Sequence, residues 1–215
     1  MRMQESNACP TKTIEELVFK IRAVPTKCKR RLIAIAGPPT AGKSTLAETL
    51  QNVLNKTRNA IATTVPMDGF HLDNRLLALS GLQKYKGSPE TFDVDGFVTL
   101  VKRLTVEDFV YYPIFDRTQD QAIAGSGVVT PDCETIVIEG NYLLFDEPLW
   151  SELVPFWDFS IWIDVDEEEI RNRCMQRWVK LGLSEEEAKE RTEQNDLRNT
   201  RRIMNARVPA NYVVV

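Results

Sequence analysis

The string Gly37-x-x-x-x-Gly42-Lys43-Ser44 carries the clearest chemistry in the chain, because it has the spacing of a phosphate-binding loop. It sits between the apolar run Leu32 to Ala36 and a segment whose Leu46, Leu50, Val53 and Leu54 recur at helical spacing. In a strand–loop–helix arrangement the loop's backbone N–H groups wrap a polyphosphate, and the helix N-terminus adds partial positive charge where the phosphates lie. Lys43 would reach the β- and γ-phosphates, and the Ser44 hydroxyl would ligate Mg²⁺. The nucleotide-binding set expected from this loop is Gly37, Pro38, Pro39, Thr40, Ala41, Gly42, Lys43, Ser44 and Thr45. A glycine-containing turn can match such a string by chance, but the flanking strand and helix argue against coincidence.

Other groups that could do chemistry follow apolar runs. The run Ala60 to Met67 ends in Asp68-Gly69-Phe70-His71, which puts a carboxylate just past a strand's C-terminal end, where open α/β sheets place ligand-binding groups. Thr135 to Ile138 ends in Glu139-Gly140-Asn141-Tyr142. Arg171, Arg173, Arg177, Arg191, Arg198, Arg201 and Arg202 all fall in the helical C-terminal part. The net charge of −4 argues against a nucleic-acid-binding surface. No stretch approaches 18 apolar residues, so no membrane span is expected. Cys9, Cys28, Cys133 and Cys174 form no C-x-x-C pair and accompany a single histidine, which fits reduced thiols in a cytoplasmic protein better than a zinc site. Glu5, Glu15 and Glu16 with no apolar h-region speak against a secretory signal, so the Asn55-Lys56-Thr57 glycosylation string carries no weight.

The elements that must position these groups are legible in outline. Residues 1 to 10 read as frayed, and Ile14, Leu17, Val18 and Ile21 mark an amphipathic helix that Pro25 ends. Leu32 to Ala36 shows no alternation and reads as a strand buried on both faces. Leu76 to Glu90 reads as mostly loop with room for one helical turn, and Phe97, Leu100, Val101 and Leu104 share a helix face after Asp95. Val110 to Phe115 contains Pro113 and is expected at an edge or as an excursion. Gln119 to Thr130 reads as a polar turn region, whose Gly125-x-Gly127 is too short for a dinucleotide fingerprint. Phe159 to Val165 and Tyr212 to Val215 read as the last strands. Two helices are expected over about 166 to 204, the first opened by Asp166 with Glu169 as an acidic capping box, the second by Ser184 with Glu187. Apolar strands alternating with helices predict a three-layer α/β fold, one domain over residues 1–215, with a mostly parallel five-stranded sheet and a helical lid.

The phosphate loop, Met67 to Asn74, Lys86-Gly87-Ser88-Pro89-Glu90-Thr91-Phe92-Asp93 and Glu139-Gly140-Asn141-Tyr142-Leu143-Leu144 together resemble the P-loop metabolite kinases. That family includes pantothenate kinase, uridine/cytidine kinase and phosphoribulokinase. The likeness is closest to a subgroup of nucleoside kinase-like and fructose-transport-system kinases, which also share a Gly182-Leu183-Ser184 to Asn195-Asp196 pattern, and it covers about residue 30 to 215. The resemblance implies transfer of the ATP γ-phosphoryl group to a hydroxyl of a small metabolite. It makes Asp68 the acceptor contact and base, Glu139 a group acting on Mg²⁺ or its waters, and Arg173 or Arg177 a lid arginine. It also puts His71, Lys86, Asp93, Arg117 and Tyr142 in substrate-side segments. By analogy it allows a homodimer. Asn195 and Asp196 match the pattern without an assigned role.

A nucleotide-controlled switch is the rival class. Asp93-Val94-Asp95-Gly96 satisfies a D-x-x-G string, but it does not follow a buried strand, and Arg58 stands where an N-K-x-D motif beginning at Asn55 would need aspartate. A nucleotide binder without turnover is disfavoured by the retention of Lys43, Ser44, Asp68 and Glu139.

Overall fold

Strand β1 (Arg31–Ala36) is the axis of the molecule, with five of its six residues buried. Its side chains alternate between two cores. Leu32, Ala34 and Ala36 pack into one apolar cluster, Ile33 and Ile35 into another on the opposite face, as a strand covered on both sides requires. The computed structural model describes residues 11–56 and 61–215. Expectations that fell on residues 1–10, Cys9 among them, and on Thr57, Arg58 and Ala60 lie outside the described residues.

In chain order the remaining strands are β2 (Ile61–Pro66), β3 (Val110–Asp116), β4 (Gln121–Val129), β5 (Cys133–Gly140), β6 (Phe159–Ile163) and β7 (Tyr212–Val214). The helices are α1 (Thr11–Ala23), α2 (Lys43–Lys56), α3 (Asn74–Leu79), α4 (Val94–Leu104), α5 (Glu167–Lys180), α6 (Glu185–Arg191) and α7 (Leu197–Asn205). Five strands pair in parallel in the order β2-β5-β1-β6-β7, which bears out the expected sheet. Helices α1 and α2 supply one outer layer, through Leu17, Ile21, Leu46 and Leu50. Helix α4 and β3 contribute to the other, through Phe97, Val101, Leu104 and Tyr112. The fully buried Arg30, just before β1, donates to the carbonyls of Leu104, Glu107, Asp108 and Thr130 and so ties the end of α4 to the end of β4.

Three local expectations are corrected. Gln121–Val129 is a strand rather than a turn: β3 and β4 form an antiparallel hairpin outside the main sheet, with β3 an excursion as expected. The glycines that suggested a turn serve the hairpin, because a Cβ on Gly127 would lie 2.3 Å from the Tyr112 ring. Asp166 flanks α5 without capping it by its side chain, and Glu169 pairs with Arg173 instead. Ser184 and Glu187 do form a full capping box. The two expected C-terminal helices are three, because a π-helical turn (Thr192–Asp196) separates α6 from α7. Among the described residues Cys28, Cys133 and Cys174 are free thiols, and no helix is long and apolar enough to cross a membrane.

Candidate active site

The loop after β1 has the geometry of an anion cradle. A Cβ on Gly37 would meet the Ile163 carbonyl at 3.0 Å, so the chain leaves the sheet hard against β6. Thr40 and Gly42 then adopt positive φ, 59° and 95°, before α2 begins at Lys43. Positive φ costs glycine little and threonine more, and alternating handedness of this kind turns successive N–H groups inward. Lys43 is buried, and its Nζ donates to the Pro38 carbonyl at 2.7 Å. Burial pulls its pKa down to about 8, against the attraction of Glu139 and Asp68. A lysine held on a neutral carbonyl in a desolvated site has much to gain from a phosphate oxygen.

Strand register brings the acids to the same place. Glu139 on β5 lies beside Ile35 of β1 and Pro66 of β2, so the C-terminal ends of the three strands are level. Ser44 Oγ donates to Glu139 Oε1 at 3.2 Å. Asp68 follows in a 3-10 turn (Met67–Phe70) directly after β2. A Cβ on Gly140 would lie 2.5 Å from Met67 Cβ, and one on Gly69 would lie 2.1 Å from the Pro113 carbonyl oxygen. Two glycines therefore allow that turn to be clamped between β5 and the hairpin. Burial, then the nearby Asp68 charge, raises the Glu139 pKa, with Lys43 opposing. The Glu139 carboxylate and the Ser44 hydroxyl are oxygen donors of the kind that Mg²⁺ prefers. Among the described residues no group of three or more His, Cys, Asp or Glu side chains is placed to hold a metal ion.

Around Asp68 lie candidate acceptor groups. Arg117, at the β3–β4 turn, donates to Asp68 Oδ2 at 2.8 Å. His71 Nδ1 lies 2.8 Å from the Asp68 carbonyl oxygen, with its ring 4.1 Å from Phe92 and 4.8 Å from Phe115. A carbonyl only accepts, so Nδ1 carries the proton and Nε2 is the acceptor. Burial lowers the His71 pKa, keeping the ring neutral.

The other expected substrate-side residues serve the framework. Lys86 Nζ is engaged by Asn74 Oδ1 at 2.8 Å and Asp120 Oδ1 at 3.0 Å, tying its loop to α3 and to the hairpin turn. Asp93 caps α4 by accepting from the Gly96 N–H at 2.9 Å. Tyr142 is fully buried, its hydroxyl donating to the Gly87 carbonyl at 2.5 Å. Of the three arginines of α5, the two lid candidates relate to the phosphate loop. Arg173 donates to the Thr40 carbonyl at 3.3 Å and pairs with Glu169 at 2.7 Å. The Arg177 charge is felt at Lys43, and its guanidinium lies 3.4 Å from Asp196 and 4.4 Å from the centre of the Trp178 ring. Sequence reasoning missed Trp178 and, although it named Arg191, also missed the stack between them: the Arg191 guanidinium lies 4.2 Å from the same ring centre. No local string marks such a stack.

A family model described as Phosphoribulokinase / Uridine kinase family matches residues 32–194. The chain is 34% identical over 187 residues to the uncharacterized protein YggC of Escherichia coli (strain K12), which covers 86% of this chain and 78% of that protein. It is 35% identical over 181 residues to a provisionally named uridine kinase of Schizosaccharomyces pombe (strain 972 / ATCC 24843), covering 80% and 77%. Among solved structures, a provisionally named fructose transport system kinase from Silicibacter sp. TM1040 superposes with a TM-score of 0.89 at 43% identity, over 94% of this chain and 98% of that one.

Proposed function

The chain belongs to the phosphoribulokinase/uridine kinase family and is an ATP-dependent small-molecule kinase, and we propose that it transfers the γ-phosphoryl group of Mg·ATP to a hydroxyl of a small metabolite bound between Asp68, His71 and Arg117. The observation that carries this reading is the convergence of Lys43, Ser44, Glu139 and Asp68 at the level ends of β1, β5 and β2. Phosphoryl transfer asks a protein for in-line positioning and charge neutralisation more than for covalent chemistry.

In this reading the loop N–H groups and Lys43 hold the β- and γ-phosphates, and Lys43 leaves the Pro38 carbonyl to do so. Ser44 and Glu139 would hold the ion, which when bound would supply Lewis-acid stabilisation of the phosphate charge. Asp68 accepts the acceptor's hydroxyl proton at Oδ2, the atom that Arg117 occupies in this structure. The neutral His71 orients that hydroxyl, or a second one, through Nε2. Arg173 and Arg177 face the transferring group from α5.

The test is an ATP-coupled screen of the purified protein against pantothenate, uridine, cytidine, fructose and other sugars. Mg-dependent phosphorylation of one of these compounds is expected, nearly abolished by Lys43→Ala. Asp68→Asn should lower kcat by about 10²–10⁴-fold, the usual weight of a general base. Hydrolysis of ATP at a rate indifferent to every acceptor would point to a nucleotide switch instead. Full kcat in Asp68→Asn would remove the base from the scheme.

A further inference from the structure

Asn195 and Asp196 lie side by side in the π-helical turn between α6 and α7, and both are buried. Such turns strain the helix ladder and recur where function needs a side chain re-aimed. These two adjacent residues serve two different segments. Asn195 donates to the Lys86 carbonyl at 2.9 Å and accepts from Asn199 at 3.0 Å, which fixes the turn against the loop carrying Lys86 and Gly87. Asp196 accepts from the Trp178 indole N–H at 2.6 Å and lies 3.4 Å from the Arg177 guanidinium. Trp178 in turn carries the guanidinium groups of Arg177 and Arg191 against its ring.

The direction of this assembly matters. Arg173 and Arg177 are four residues apart on α5 and so share a face, and Arg173 already touches the Thr40 carbonyl of the phosphate loop. Arg177 is a long, flexible side chain, and free rotation would have to be frozen each time nucleotide bound. Among the described residues Asp196 is the carboxylate within ion-pair reach of Arg177, and through Trp178 it also holds the ring on which Arg177 rests.

We propose that Asp196 is a positioning residue: by pairing with Arg177 and anchoring the Trp178 indole, it sets the Arg177 guanidinium towards the γ-phosphate before nucleotide arrives. The proposal rests on the reading of Arg177 as a phosphate-facing group, and its test separates the two.

The probes are Mg·ATP and Mg·ADP, with affinities measured by calorimetry on the full chain, so no acceptor is needed. Arg177→Ala should weaken Mg·ATP by about 10-fold or more and Mg·ADP by less than about 2-fold, as loss of one charge-assisted contact to the γ-phosphate implies. Asp196→Asn keeps the shape, and its Oδ1 can still accept from Trp178, but it loses the charge that orients Arg177. It should weaken Mg·ATP by about 3–10-fold with little change for Mg·ADP, and the double variant should bind no more weakly than Arg177→Ala, since the two act as one unit. An unchanged ATP-to-ADP ratio in Asp196→Asn, an equal loss for both nucleotides, or effects that add in the double variant would overturn the proposal while leaving Arg177 as a phosphate group. If Arg177→Ala itself leaves the ratio intact, the reading of Arg177 falls and the proposal with it. Should Asp196→Asn not fold, Trp178→Phe keeps the aromatic ring and removes only the N–H. It should lower the same ratio by about 3-fold, and no change there would likewise refute the role.

Discussion

Between pH 7 and pH 9 the phosphate loop should lose most of its grip on Mg·ATP, because Lys43 titrates inside that interval. Burial brings its pKa from 10.5 to about 8, and the attraction of Glu139 and Asp68 only partly opposes the shift. If the ammonium form is the one that binds phosphate, the competent fraction falls from about 10/11 at pH 7 to about 1/11 at pH 9, roughly a 10-fold loss of apparent affinity. A lysine at its ordinary value would change by only about 3% over the same range. Bound phosphates stabilise the ammonium form, so nucleotide binding must draw in protons, about half a proton per site at pH 8. Calorimetric titrations at pH 7, 8 and 9, repeated in two buffers of different ionisation enthalpy, measure both quantities. Lys43→Ala should abolish the proton uptake. The sign for the ligand-free protein follows from the same shift. The folded pKa lies below the unfolded one, so the unfolded chain binds more protons and the Lys43 contribution to stability rises with pH from about 8 to 10.5. Affinity that stays flat from pH 7 to 9 with no proton uptake would show that Lys43 is not the desolvated phosphate ligand described above.

Two further perturbations test the metal site and the clamp on the Asp68 turn. Glu139→Gln keeps the shape but removes the charge that Ser44 touches; it should raise the Mg²⁺ concentration needed for half-maximal turnover by about 10–100-fold, read from a metal titration at fixed ATP. An unchanged titration would take Glu139 out of the metal shell. Gly69→Ala would drive a methyl group into the Pro113 carbonyl, 2.1 Å from the ideal Cβ, and should destabilise the protein by about 1–3 kcal/mol in urea unfolding, with kcat falling as Asp68 is displaced. A variant as stable and active as the parent would mean the hairpin yields freely.

The main sheet was legible because a parallel strand covered on both faces writes itself as an unbroken apolar run, as Leu32 to Ala36 and Thr135 to Ile138 do. The hairpin was only half legible. Strand β3 carries Val110 and Tyr112 into the core, but β4 is largely exposed, and its Gly125 and Gly127 look like turn residues until the Tyr112 ring is seen lying over Gly127. At the helix ends, Ser184 and Glu187 satisfied their box because both partners lie within one turn, whereas Glu169 had the competing partner Arg173 one turn further on. The framework roles of Lys86 and Tyr142 were illegible for a related reason. The partners of Lys86 at Asp120 and of Tyr142 at Gly87 lie 34 and 55 residues away, and no local pattern encodes contacts at that range.

The same distinction explains why the donor half of the site reads so much more clearly than the acceptor half. A polyphosphate is recognised mainly by backbone N–H groups, and a backbone conformation that needs positive φ at Thr40 and Gly42 leaves a dense local signature over Gly37 to Ser44. A small hydroxyl compound is recognised by a few convergent side chains. The side chains proposed for this are a histidine wedged against Phe92 and Phe115 and an arginine from the hairpin turn that reaches back to Asp68. Asp68 belongs to both halves, and its position follows from the level ends of β2 and β5 rather than from its own neighbours in sequence. In the proposed scheme the choice of acceptor therefore depends on the approach of the β3–β4 hairpin to the Asp68 turn. The close approach of Gly69 to Pro113, the Arg117 ion pair and the Lys86–Asp120 pair all tie the hairpin to that region.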